Sequence, residues 1–197
     1  MSHDLIDRVH DSWFKQKIII FNGDTCSDPI VLKEFCNELH NTMIHHCCKN
    51  VKVFFTLGNH EYWSGYTIEQ YREIFSFYGF YLLHNNMFVF KKNNLIEVPY
   101  TNIFNHENLL QLTNNATTVL IGGTGFAGCN DIFNANNGIY RSSINREDEI
   151  KLSQTMSQIY DFVASTLRHS NVIVATHMPM EDWHTSPHFV PGFVYLH

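Results

Sequence analysis

Three short polar groups in this sequence stand where chemistry is possible. Asp24 follows Gly23, the run Asn59-His60-Glu61 follows Gly58, and His177 follows an apolar stretch. A carboxylate, a neutral amide oxygen and an imidazole together make a donor set for a divalent transition metal. The Asp24 carboxylate is able to bridge two ions. Two ions about 3.5–4 Å apart clamp a phosphoryl group and activate a bridging hydroxide. His60 directly follows the ligand candidate Asn59, so it is placed to face a metal-bound phosphate and to protonate a leaving oxygen. Each residue alone has a bland reading: Gly-Asp and Gly-Asn pairs are common turns, and a lone His is often a hydrogen-bonded core residue. Their common placement is what favours the chemical reading.

That placement depends on the elements around them. Residues 17–22 (KIIIFN) and 51–57 (VKVFFTL) are apolar β-rich runs that stop at Gly23-Asp24 and Gly58-Asn59. Residues 117–122 (TTVLIG) and 171–176 (NVIVAT) are two more, the second stopping at His177. Between them lie helical patterns. Val31, Phe35, Leu39 and Met43 form a stripe within 29–49, with Pro29 near its start, and residues 67–78 and 107–113 read as further helices. Leu152, Met156, Ile159, Val163 and Leu167 form a stripe over about 145–168. Shorter strand-like pieces fall at 80–84, 87–91 and 95–99, with Asn pairs as turn signals. Strands alternating with helices predict a layered α/β domain, in which functional groups gather at the carboxyl ends of strands.

Gly23-Asp24, Gly58-Asn59-His60-Glu61 and His177 after its strand resemble three consecutive motifs of the calcineurin-like metallophosphoesterases, in order and in context. The tetrapeptide is the most specific of them. The segments LGNHEYW, GFAGCNDIFNANNGIYR and THMPMEDW are similar to a bacterial-type branch of that superfamily. The resemblance covers roughly residues 17–197. It implies a four-layer α/β sandwich of two mixed sheets flanked by helices, and hydrolysis of a phosphate mono- or diester by a metal-bound hydroxide. It implies two divalent ions, Mn or Fe. By the same resemblance Asp24 is the bridging metal ligand, Asn59 binds the second metal and touches substrate, and His177 ligates the second metal. His60 is the acid or transition-state stabiliser, with Glu61 or Asp28 orienting it. Ser27 stands where some members carry a carboxylate, which leaves the choice between those two partners open. Residues 1–16 hold no Asp-x-His, and no Gly-His-x-His precedes His197. The expectation is one domain over 1–197 lacking the family's first strand and last motif. A second reading follows from that: a catalytically inactive binding or scaffold domain.

Composition narrows the alternatives. The chain has 197 residues, 44% of them hydrophobic, enough for one well-formed core. Its net charge of −6 disfavours long nucleic acid as a partner, and no apolar run approaches a membrane span. Five Cys show no disulfide framework, and the polar N-terminus carries no signal-peptide pattern, so reduced thiols and a cytoplasmic protein are expected. Gly123-Thr124-Gly125-Phe126-Ala127-Gly128 fits a dinucleotide fingerprint, but turn formers follow it where a helix must open. His45, His46, Cys47 and Cys48 are adjacent on a helix end and cannot converge on one ion. His184 and His188, which follow Trp183, read as exposed loop residues rather than lining of the cleft. The aromatics Tyr71, Phe75, Phe77, Tyr78, Phe80 and Tyr81 read as core.

Overall fold

The structure, a computed structural model, describes residues 18–46, 48, 50–92, 94–125, 146–167 and 171–177. Its elements follow the apolar runs closely. Strand β1 is Ile18–Asn22, helix α1 Pro29–His45, β2 Lys52–Thr56, α2 Asn59–Trp63 and α3 Ile68–Phe77. Then come β3 (Tyr81–Leu82), β4 (Asn86–Lys91), β5 (Asn94–Val98), α4 (His106–Thr113), β6 (Thr118–Gly123), α5 (Arg146–Thr166) and β7 (Val172–Thr176). No described helix is long and apolar enough to cross a membrane.

The strands form two sheets. One has the order β1-β2-β3 with parallel pairing; the other has the order β5-β4-β6-β7, antiparallel except for the parallel β6–β7 pair. Alternation along each strand sets the layers, because successive side chains point to opposite faces. On β2, Val53 and Phe55 pack with Leu32, Phe35 and Leu39 of α1 and with Tyr71 and Phe75 of α3. Phe54 points the other way and meets Phe88 of β4, Leu120 of β6 and Ala175 of β7. Met87, Val89, Val119 and Ile121 face Leu109 of α4 and Met156, Ile159 and Val163 of α5. Three apolar interfaces between four layers give the helix–sheet–sheet–helix sandwich. Strands covered on both faces read as unbroken apolar runs, which is why their sequences are so plain.

Two expectations about the core are corrected. Val31 is 42% exposed, and Leu32 and Cys36 take the inward positions with Phe35 and Leu39. Residues spaced strictly by four advance 400° per step on a 3.6-residue helix, so the stripe drifts off the buried face toward its N-terminal end. Phe77, expected in the core, is 81% exposed at the end of α3. The helix end expected near the His45–Cys48 run is found at His45. Cys47, the glycine-rich segment from Phe126, the loop at 133–141 and His184, Trp183 and His188 lie outside the described residues. So do residues 1–16 and the chain beyond His177, where the two missing motifs were sought.

Asn86 ties the β3–β4 turn together, donating to the Leu82 carbonyl at 3.1 Å and to Glu97 at 2.7 Å, while Glu97 pairs with Arg72 at 3.1 Å. His84 sits in this turn with a buried Nδ1 that has no partner. Burial, and secondarily Arg72, push its pKa down from 6.5 to about 4. The unfolded chain therefore binds more protons than the folded one between those values, so stability falls as pH drops from 6.5 toward 4. The expected loss is on the order of 2 kcal/mol. Urea midpoints at pH 7 and 4.5 should differ less for His84→Leu than for the unmodified chain; equal differences would contradict this.

Candidate functional site

The site is built where β1, β2 and β7 end side by side. β1 and β2 are parallel neighbours, and Asn22, the last residue of β1, reaches β7 by donating its Nδ2–H to the Thr176 carbonyl. Thr56, the last residue of β2, donates its hydroxyl to Asn22 Oδ1 at 3.3 Å. One side chain thus registers three strand ends, and the residues that follow them converge.

Asp24 lies just past β1. Gly23 and Asp24 both adopt left-handed backbone, with φ of 81° and 51°. That conformation costs a non-glycine residue about 1 kcal/mol or more, and such strain often marks a working site. Here its cause is visible. Glu61, only 1% exposed, accepts the Asp24 N–H at 2.9 Å and the Gly58 N–H at 2.7 Å on Oε2, and the Cys26 N–H at 3.0 Å on Oε1. The carboxylate clamps the loop after β1 to the loop after β2. Two glycines make the close approach possible. A Cβ on Gly23 would sit 2.5 Å from His177 Nδ1, and one on Gly58 would collide with Asp24.

His177 is 3% exposed. Its Nδ1 lies 3.0 Å from the Asn22 carbonyl, which can only accept, so Nδ1 carries a proton and donates it. In the neutral ring Nε2 is then a lone pair. It faces Asn59 Oδ1 at 3.2 Å and Asp24 Oδ2 at 3.4 Å. Two oxygens facing that nitrogen repel it unless a proton or a metal cation stands among them. For metal–ligand bonds of about 2.1 Å, neighbouring ligands at 90–110° are about 3.0–3.4 Å apart. The observed separations fit a divalent ion held by Asp24, Asn59 and His177. Among the described residues no group of three or more His, Cys, Asp or Glu that could hold a metal ion is found; Asn59, an amide, is not one of those residue types.

His60 stands at the rim. Its backbone N–H donates to Asp24 Oδ1 at 3.0 Å, and its Nε2 lies 3.8 Å from Asp24 Oδ2. Its side chain is 45% exposed, Asp24's 33%. Trp63, one turn along α2, packs its ring 4.0 Å from the His60 ring. The orienting role expected of Glu61 or Asp28 is not where the structure uses them. Glu61 spends both oxygens on backbone N–H groups, and Asp28 caps α1 by accepting the Ile30 N–H at 2.8 Å. Among the described residues, Asp24 and Trp63 are the groups that neighbour the His60 ring. Helix α2 itself is pinned from behind: the Tyr71 hydroxyl donates to the Glu61 carbonyl at 2.8 Å, and the Tyr62 hydroxyl bonds Thr124 at 3.2 Å.

Sequence reasoning missed Asn22 and Trp63. A polar residue closing an apolar strand was the signal for the first, and an aromatic three positions after His60 on a helix was the signal for the second. Gly123 of the glycine-rich motif is the last residue of β6 and packs against Asn85, where a Cβ would come within 2.6 Å of Oδ1.

A family model described as calcineurin-like phosphoesterase matches residues 3–195. No curated protein and no solved structure matches the chain.

Proposed function

Since the chain belongs to the calcineurin-like phosphoesterases, we propose that it hydrolyses a phosphate mono- or diester with divalent metal ions, and that Asp24, Asn59, His60 and His177 carry the reaction. The observation that supports this most is the convergence of Asp24, Asn59 and His177 on one point beside an exposed His60.

Asp24, Asn59 and His177 would hold the ion, with the Nδ1–H···Asn22 bond fixing the tautomer that leaves Nε2 free to ligate. When bound, a divalent ion supplies Lewis-acid charge to the phosphoryl oxygens and acidifies the attacking water. Glu61 fixes the Asp24 and Asn59 loops at one separation, so the donors need not reorganise. His60 gives a proton to the leaving oxygen from a ring that stands outside the donor set. Mn²⁺ and Fe are the metals we propose, and the phosphoester is the substrate.

The test is hydrolysis by the full chain supplemented with Mn²⁺. His60→Ala keeps the backbone N–H that binds Asp24, so it should leave metal affinity and KM nearly unchanged. It should lower kcat by about 10²–10⁴-fold for an alkyl phosphate. The loss should shrink for 4-nitrophenyl phosphate, whose leaving group needs no proton. Equal losses on both esters would contradict the acid role. An unmodified chain that binds Mn²⁺ yet hydrolyses neither ester would support the inactive binding domain instead.

A further inference from the structure

The short helix α2 buries two of its residues, Glu61 and Tyr62, and turns two rings outward. His60 and Trp63 lie three positions apart, with ring centroids 4.0 Å apart and planes tilted by 33°. Trp63 is 37% exposed, so part of the indole is open to solvent. Among the described residues the His60 ring has two kinds of neighbour: the Asp24 carboxylate at 3.8 Å, which belongs to the proposed donor set, and the indole, which is flat and apolar. If His60 protonates the leaving oxygen, that oxygen lies against the imidazole. An organic group bonded to it that extends away from the carboxylate then passes beside the exposed indole.

We infer that Trp63 is a specificity-determining residue, a stacking surface that selects phosphoesters whose leaving group carries a planar aromatic ring. This deepens the phosphoesterase reading and rests on it. A ring attached at the ester oxygen gains offset stacking or edge contact with the indole, whereas a methyl group gains little area there. The selection acts on binding of the leaving group and leaves the donor set untouched.

The test uses phenylphosphonate and methylphosphonate, whose carbon–phosphorus bonds are not hydrolysed. Each is titrated calorimetrically into the full chain loaded with Mn²⁺. The unmodified chain should bind phenylphosphonate about five-fold more tightly than methylphosphonate. Trp63→Ala should erase that preference and leave methylphosphonate affinity unchanged, and Trp63→Phe, the milder change, should keep part of the preference. A preference that survives in Trp63→Ala, or that is absent from the unmodified chain, overturns the inference while the phosphoesterase reading stands. Binding of neither phosphonate overturns both.

Discussion

Glu61→Ala is expected to lower folding stability by about 3–5 kcal/mol and to weaken Mn²⁺ binding at the same time. The side chain is almost fully buried, and its two oxygens take three backbone N–H groups from two separate loops. Hydrogen bonds to a charged acceptor are worth about 1.5–3 kcal/mol each, and a buried donor left without one costs a similar amount. Water entering the space left by the side chain recovers some of this, so the expected loss is below the simple sum. The metal effect follows from geometry. Without the clamp the His60 N–H bond to Oδ1 still ties Asp24 to the loop after β2, but its left-handed backbone relaxes and its carboxylate shifts from the point shared with His177 and Asn59. Glu61→Gln retains the shape but replaces one acceptor oxygen by a donor, so it should fall between the two. Urea denaturation gives the stability, and exchange of the Asp24, Cys26 and Gly58 amides locates it. A Glu61→Ala loss under about 1 kcal/mol, with those amides still protected, would show that the clamp is not what holds the loops.

Much of this architecture was legible beforehand because buried strands announce themselves. KIIIFN, VKVFFTL, TTVLIG and NVIVAT each became a strand within a residue or so of the run. Each functional loop began where the apolar run gave out, so Asp24, Asn59-His60 and His177 were visible as strand-end residues. Their convergence on one point depended on sheet order and on β7 lying against β1, and local pattern carries neither. The role of Glu61 was hidden for a different reason. A side chain that accepts from backbone N–H groups leaves no periodic trace and no partner residue type to look for, so its position beside His60 suggested the wrong neighbour. Helix α2 is five residues long, too short for a stripe, and the outward face that brings His60 and Trp63 together was hidden with it. The inward face of α1 was misjudged by one position because a strict four-residue spacing was followed where the helix turns every 3.6.

The second large effect expected is on metal binding itself. His177 Nε2 faces two oxygens, Asp24 Oδ2 at 3.4 Å and Asn59 Oδ1 at 3.2 Å, and a divalent ion would relieve that arrangement. Asp24 brings the negative charge of the set, so Asp24→Ala removes both a ligand and most of the electrostatic attraction. His177→Ala removes the nitrogen donor and opens a buried space behind Gly23. Either change should weaken Mn²⁺ binding by about 100-fold or more, since even changes to groups that merely support a ligand cost 10–100-fold. The most direct measurement is a calorimetric titration of the metal-free chain with Mn²⁺, run for the unmodified protein, Asp24→Ala and His177→Ala, with circular dichroism confirming that each is folded. The expected result is saturable binding by the unmodified chain that is lost in both folded variants. Unchanged Mn²⁺ affinity in folded Asp24→Ala would contradict the assignment of this site.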